Sequence, residues 1–218
     1  DSLSEAPAHD LVAWQQPNGQ PAQLVAARSA TVAATNLDAL PVAAPATAEW
    51  TARPVDGGLR VSALAVRVAA GGVEELFVGT LDGGIWKYGA GDQFHAVNLT
   101  NRPGAAVLAL KSVGSRLVWS TAEEVGWSGD GMTAQRLTPP CPAALVVSLL
   151  PLADGTLYAG TVAHGIWRVN LNGATPVWQP DSLPPSLGDV ALPPKGQKLL
   201  SYFHTPASAS ARLLVQGG

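Results

Sequence analysis

The chain of 218 residues is long enough for one large domain, or two small ones, with a substantial buried core. Only 13% of the residues are charged, and glycine (23) and proline (18) are abundant, which disfavours long surface helices and favours short strands joined by turns. The formal net charge of -3 excludes the basic, phosphate-neutralising surface of a nucleic-acid-binding protein.

The single cysteine, Cys141, excludes an internal disulfide and a cysteine-rich zinc site. No apolar run approaches the roughly 18 residues that a membrane-spanning helix needs, so we expect no membrane insertion. Because the chain begins at Asp1 without methionine, we expect either a processed mature form or a segment of a longer protein. Richness in Ala, Pro and Arg favours a bacterial source, and we favour a periplasmic or extracellular location over the cytoplasm.

Taken in chain order, the sequence predicts a flexible N-terminus over residues 1–10 and then a single domain over residues 11–218. Residues 11–14 (LVAW) form a short predicted strand without a partner in its own repeat. Five units of up to four antiparallel strands follow, at residues 20–55, 60–102, 106–140, 145–182 and 188–218. The last unit has room for three strands only, predicted at residues 190–194, 198–203 and 212–215, so residues 11–14 are predicted to complete it and close a ring.

These units rest on an internal repeat of about forty residues. The segment LFVGTLDGGIWKY (76–88) matches LYAGTVAHGIWRV (157–169), and LVWSTAEEVGWS (117–128) lies midway between them. The repeated Thr80, Thr121 and Thr161 are 41 and 40 residues apart, and Thr35 marks a weaker upstream copy. Four short strands per period predict an all-β fold, a β-propeller of four-stranded antiparallel blades, with five blades fitting the chain. A longer propeller and a β-sandwich are the alternatives.

Tryptophans recur with the same period. Trp86, Trp127 and Trp167 occupy equivalent positions in three units. Exposed aromatic rings at these positions would suit sugars or bases, whereas residues that recur on every blade are most simply the packing between neighbouring sheets. We therefore predict that they are structural.

The repeat over residues 60–180 resembles sensor-type propellers of two-component regulators, which carry Gly-Thr-x-x-Gly-Gly-Ile-Trp units. The segment WSGDGMTA (127–134) resembles the Asp-box turn of photosystem-assembly and sortilin-like propellers, although it lacks one glycine and the tryptophan after Thr133. The resemblance implies a scaffold that binds peptides, glycans or partner proteins. It implies a stapled turn at the Asp-box and does not imply sialidase activity.

Polar residues follow the repeated threonine in each unit. In a propeller, the turns between second and third strands lie on one face around the channel mouth, so their side chains are expected to converge there. The resulting mostly acidic ring would suit a cationic or hydroxyl-rich ligand or a basic peptide, although ordinary turn formers are the simpler interpretation. The predicted ring consists of Asn36, Asp38, Asp82, Glu123, Glu124, His164 and, less closely aligned, His204.

We therefore predict a non-catalytic binding or scaffold module, without cofactor or metal, whose partner is a protein, a peptide or a glycan. The alternative is a carbohydrate-active enzyme that uses Asp38, Asp82 or Glu123 as acid and base, although nothing in their spacing selects a pair. A purely structural subunit with a wide apolar patch is a third hypothesis. The four histidines lack metal-ligand spacing, and nucleophile-elbow, phosphate-loop and dinucleotide motifs are absent.

Overall fold

A computed structural model of the chain describes residues 10–15, 22–28, 31–36, 51–140, 145–162, 164–180, 198–204 and 211–216. Within these ranges the secondary structure is β-strand, apart from single 3-10 turns at Asp56–Gly58 and Ala90–Asp92. No helix in the described ranges is long and apolar enough to cross a membrane.

The strands form four four-stranded antiparallel sheets and one strand pair, each in chain order. Sheet 1 contains β1 (Asp10–Trp14), β2 (Gln23–Arg28), β3 (Thr31–Asn36) and β4 (Thr51–Pro54). Sheet 2 contains β5 (Val61–Val68), β6 (Glu74–Thr80), β7 (Ile85–Gly89) and β8 (Gln93–Val97). Sheet 3 contains β9 (Ala109–Val113), β10 (Arg116–Ser120), β11 (Val125–Ser128) and β12 (Gln135–Leu137). Sheet 4 contains β13 (Val146–Pro151), β14 (Thr156–Thr161), β15 (Ile166–Asn170) and β16 (Gln179–Pro180), and β17 (Lys198–His204) pairs with β18 (Ala211–Gln216).

The sheets stack face to face in chain order. First strands pack on one another, β1 on β5, β5 on β9, β9 on β13 and β13 on β17. Three buried apolar clusters lie between sheets 1 and 2, sheets 2 and 3, and sheets 3 and 4. Successive four-stranded sheets that pack face to face around their first strands make the β-propeller that the repeat predicts.

Strand periodicity explains how an inner sheet such as sheet 2 packs on both sides. On β6, Leu76 and Val78 point into the cluster shared with sheet 1, whereas Phe77 between them points into the cluster shared with sheet 3. Alternate side chains of a strand lie on opposite faces, so a strand that is apolar at nearly every position is buried between two neighbours.

The prediction that residues 11–14 close the last sheet is wrong. They belong to β1, which pairs with β2 from Asp10 opposite Ala27 to Trp14 opposite Gln23. The error follows from a missing marker, because β2 ends at Arg28 rather than at a repeated threonine, and Thr35 lies in the third strand, β3. The indole of Trp14 packs edge-on to Tyr88 of sheet 2, with 5.1 Å between ring centroids, so β1 joins sheet 1 to sheet 2.

Strand β17 is also placed differently from the prediction, which made it the second strand of its unit. It packs against β13 and β14, as β13 packs against β9 and β10. It therefore occupies the position of a first strand, with β18 as the second. The segment predicted as the first strand, at residues 190–194, lies outside the described residues.

Candidate functional site

The turns between second and third strands of sheets 2, 3 and 4 lie at the same edge of the stack. We call this edge the turn surface. Its exposed side chains are Arg60, Leu81, Asp82, Asn101, Arg102, Glu123, Leu145, Val162 and His164.

The repeated threonines hold these turns rigid. In sheet 2, the hydroxyl of Thr80 accepts a hydrogen bond from the Gly83 amide (2.9 Å) and donates one to the Gly84 carbonyl (2.9 Å). In sheet 4, Thr161 bonds in the same way to the backbone of His164 and Gly165. Both threonines are buried, so each turn is closed by a hydroxyl that water does not compete for.

The periodic tryptophans complete the same turns. The indole N–H of Trp86 donates to the Gly83 carbonyl, and that of Trp167 donates to the His164 carbonyl, each at 2.9 Å. The tryptophans are therefore tied to the turns that they follow. The rings of both tryptophans are half-buried.

Sheet 3 departs from the repeat by one residue. The last strand pair before its hairpin loop is Ser120 opposite Val125, so the loop has four residues. In sheet 2 the last pair is Gly79 opposite Ile85, and the loop has five residues. Because one residue reverses the faces of a strand, Trp127 packs in the cluster towards sheet 4. The buried Trp119 fills the opposite face, towards sheet 2. The predicted equivalence of Trp127 and Trp86 is therefore wrong, because the two side chains pack on opposite faces of their sheets.

On sheet 2, Asp82 of the predicted ring is paired. Its carboxylate accepts from the backbone amide of Arg60 (3.1 Å) and from the Arg60 guanidinium (3.2 Å). Both side chains are exposed, so the pair presents a positive and a negative group together at the turn surface.

On sheet 3, Glu123 is paired with the segment that links sheets 2 and 3. Arg102 lies 2.6 Å from one carboxylate oxygen, and the Asn101 side chain donates to the other at 2.8 Å. At the C-terminal end of this segment, the Val107 amide donates to the Thr80 carbonyl of sheet 2 and the Leu108 amide donates to the Ser120 carbonyl of sheet 3. The turns of sheets 2 and 3 are therefore held in a fixed relation to each other.

Glu124 is buried and serves the fold. One carboxylate oxygen accepts from the Trp119 indole N–H (3.1 Å) and from the backbone amide of Asn101 (3.0 Å). The other oxygen lies 3.0 Å from the Arg136 guanidinium. A buried carboxylate that already has three protein partners is unavailable to a ligand. The expected acidic ring is thus neutralised over the described residues, since all three carboxylates face an arginine.

An apolar row runs beside the charged residues. In sheets 2, 3 and 4 the residue after the repeated threonine is apolar, and Leu81 and Val162 are 37% and 41% exposed. The Val162 amide bonds to the carbonyl of Leu145, which is itself 36% exposed. The sequence prediction missed this row and named only the polar residues one or two places further along each turn, although the repeat carries the apolar signal.

The remaining predicted ring residues are not at this edge. Asn36 ends β3 opposite Gln23, the first residue of β2, and therefore lies at the opposite edge. His204 ends β17, a first strand, and first strands also end at the opposite edge. Their predicted convergence with Asp82 is wrong. The prediction took both residues to follow second strands, whereas Asn36 ends a third strand and His204 ends a first strand. Asp38 lies outside the described residues.

The Asp-box resemblance is matched by the geometry of the turn between β11 and β12. The Asp130 carboxylate accepts from the amides of Met132 (2.8 Å) and Thr133 (2.6 Å) and from the Ser128 hydroxyl (2.9 Å). These hydrogen bonds, led by the Thr133 amide, hold the pKa of Asp130 well below its usual range. The buried Arg67 of sheet 2 donates to the Gly129 carbonyl, so the turn also fastens sheet 3 to sheet 2.

Within the described ranges no three His, Cys, Asp or Glu side chains group in a way that would hold a metal ion.

Comparison with known proteins finds likeness in structure alone. No family model matches the chain. No curated protein matches it either. Among solved structures, one named as the extracellular domain of a hybrid two component system from B. thetaiotaomicron superposes with a TM-score of 0.57 at 16% identity, over 82% of this chain and 23% of that one. Another, named as the extracellular domain of a one component system from the same organism, gives 0.54 at 14% identity, over 84% and 22%. The chain thus spans less than a quarter of these proteins and shares their fold.

Proposed function

We propose that this chain is a non-catalytic binding module whose turn surface docks a protein or peptide partner. The observation that carries the proposal is the row of exposed apolar side chains, Leu81, Leu145 and Val162, beside exposed ion pairs on rigid turns. Protein interfaces combine an apolar centre with a polar rim. Turns that are already held by buried hydroxyls lose little conformational freedom on binding, which favours affinity.

The charges of this surface support a partner with both signs of charge. Arg60 with Asp82 and Arg102 with Glu123 each present a guanidinium next to a carboxylate. A purely cationic ligand would have to displace an arginine from each carboxylate. A peptide with an apolar side chain flanked by an acidic and a basic residue would match the apolar row and the ion pairs beside it.

The same pairing disfavours the alternative of glycoside hydrolysis. An acid and base pair needs one carboxyl that gives a proton and another that takes one or attacks the sugar. Here Asp82 and Glu123 accept hydrogen bonds from arginine or asparagine, and Glu124 is enclosed in the turn. We therefore place this chain among binding modules. The likeness to extracellular domains of bacterial regulators supports a bacterial, extracellular or periplasmic setting.

The test uses a random peptide library displayed on phage, selected against the whole chain. Synthetic versions of the enriched peptides are titrated against wild type and against the double variant Leu81→Asp, Val162→Asp, which charges the apolar row. The control is Met132→Asp, since Met132 is 67% exposed and lies at the opposite edge. We expect at least a tenfold rise in Kd for the double variant and none for the control. Failure to enrich any peptide, or equal affinity in the double variant, would overturn the proposal.

A further inference from the structure

A second concave site lies on the outer rim between sheets 1 and 2, outside the turn surface. This rim cleft has a volume of about 890 Å³ and follows the end of β4, the two 3-10 turns and β8. Its lining combines aromatic rings, carboxylates and hydrogen-bond donors. The lining includes the side chains of Arg53, Asp56, Trp86, Asp92, Gln93 and Phe94.

Arg53 is incompletely satisfied. Its side chain is 24% exposed, and its guanidinium lies over the Tyr88 ring, 5.0 Å from the centroid. The Nη1 atom is buried and has no hydrogen-bond acceptor. The nearest carboxylate oxygen, Oδ1 of Asp92, stands 3.8 Å away, which is an ionic contact but too long for a hydrogen bond.

Asp92 has the second unusual feature. Among the described residues it is the non-glycine residue with a positive φ, 58°. The hydroxyl of Tyr88 donates to its Oδ1 at 2.8 Å, yet the side chain is 82% exposed. Left-handed backbone costs free energy in a residue with a side chain, and such positions concentrate at functional sites. The exposed Asp92 carboxylate thus stands beside Arg53 at the lining of the rim cleft.

We propose that the rim cleft binds a neutral saccharide. A sugar hydroxyl both accepts and donates, so one hydroxyl beside this pair, off the 3.8 Å line from Nη1 to Oδ1, would accept from Nη1 and donate to the carboxylate. Because Nη1 is buried in the unliganded chain, this contact requires the exposed Asp92 side chain to turn aside as the sugar enters. The apolar face of the sugar would pack on the half-buried Trp86 beside Phe94, and Gln93 adds an amide that bonds hydroxyls.

The other ligand classes fit less well. An anion would meet two carboxylates, Asp56 and Asp92, for one guanidinium. An apolar ligand would leave the Nη1 of Arg53 without an acceptor, which is costly in a buried site. The volume is in the range of small-molecule sites, about 300 to 1,000 Å³, and suits a saccharide of two or three units.

The experiment is calorimetric titration of the whole chain with maltotriose, xylotriose and chitotriose, with glucuronic acid as the anionic comparison. Two variants disturb the cleft. Arg53→Lys keeps the positive charge and loses the guanidinium, while Asp92→Gly removes the carboxylate and relieves the positive φ, so this variant retains the fold. Arg116→Lys is the matched control, because Arg116 bonds Asn172 in another part of the molecule. Thermal unfolding checks that each variant is folded.

We expect at least one neutral trisaccharide to bind, with a Kd raised tenfold or more in Arg53→Lys and in Asp92→Gly and unchanged in Arg116→Lys. The Leu81→Asp, Val162→Asp variant should bind the saccharide as wild type does, since its changes lie outside the rim cleft. The proposal is overturned if no neutral trisaccharide binds at about 10 mM, if glucuronic acid alone binds, or if Asp92→Gly binds as tightly as wild type. None of these outcomes bears on the peptide-binding proposal.

Discussion

At the scale of single residues, the buried threonine hydroxyls stabilise the turns of the turn surface. We predict that Thr80→Val lowers the free energy of unfolding by about 1–3 kcal/mol, because the Gly83 amide and the Gly84 carbonyl both lose their bond to the hydroxyl. Urea denaturation measures the loss. Thr80→Ser keeps the hydroxyl and should lose much less. Equal losses in Val and Ser variants would show that packing of the methyl group, rather than the hydrogen bonds, stabilises the turn.

Asp130 links a single residue to pH. Its folded-state pKa is depressed, so the stability it contributes is fully present above the unfolded value of about 4 and is lost as the pH falls towards the folded value. We predict that Asp130→Asn flattens the dependence of the urea midpoint on pH between about 5 and 2.5. The measurement compares wild type and variant at both ends of that window. Parallel curves for the two proteins would contradict the prediction.

Sequence predicted the residues whose roles are local and missed those whose partners are distant. Thr80, Thr161 and Trp86 bond within four residues along the chain, so the repeat itself carries their roles. Arg60 is 22 residues from its partner Asp82. Such a pairing depends on which strands lie side by side, and no local pattern encodes it.

At the scale of elements, turn length decides which face a strand presents. The shorter hairpin of sheet 3 turns Trp127 towards sheet 4 and leaves Gly126 beneath the indole of Trp119. The sequence alignment of Trp127 with Trp86 counts residues from the threonine and cannot detect that one of them has moved from the loop into the strand. Sheet 1 was misassigned for a related reason, since its second strand, β2, lacks the threonine by which the other units are recognised.

This packing predicts the effect of a single methyl group. Gly126→Ala places a Cβ where the Trp119 indole lies, so we expect a loss of about 1–3 kcal/mol in the free energy of unfolding. Gly129→Ala is the control, because nothing lies within 4 Å of a Cβ there. Urea denaturation of both variants measures the difference. If the two alanines cost the same, the Trp119 ring has room to move and the sheet 3 packing is looser than described.

At the scale of the whole molecule, stability comes from the interfaces between sheets. Each of the three buried clusters is shared by two neighbouring sheets. Polar ties add to them, such as the buried Arg67, which bonds Glu75 within sheet 2 and reaches the Ser115 carbonyl in sheet 3. The two candidate sites lie differently on this stack of sheets. The turn surface is formed by turns of three sheets, whereas the rim cleft lies at the interface between sheets 1 and 2.

Asp10, at the start of β1, contacts two neighbouring sheets through its carboxylate. Its carboxylate accepts from the Leu64 amide on β5 (2.9 Å) and lies 3.3 Å from the Lys111 ammonium on β9, so one side chain connects the first strands of sheets 1, 2 and 3. Sequence analysis placed residue 10 in a flexible tail, because a lone acidic residue before a short strand shows no partner. Only the packing of first strands brings Leu64 and Lys111 to it.

We therefore predict that Asp10→Ala loosens this junction without unfolding the rest. Amides of β1 and β5 should exchange with deuterium about tenfold faster, which corresponds to about 1.4 kcal/mol, because local opening governs exchange where the lost bonds lie. Amides of β14 serve as the internal control, since β14 lies in sheet 4, and Asp10→Asn, which keeps an acceptor for Leu64, should have a smaller effect. Faster exchange of β14 to the same degree would mean that the sheets unfold as one unit and that Asp10 stabilises the whole stack rather than a junction.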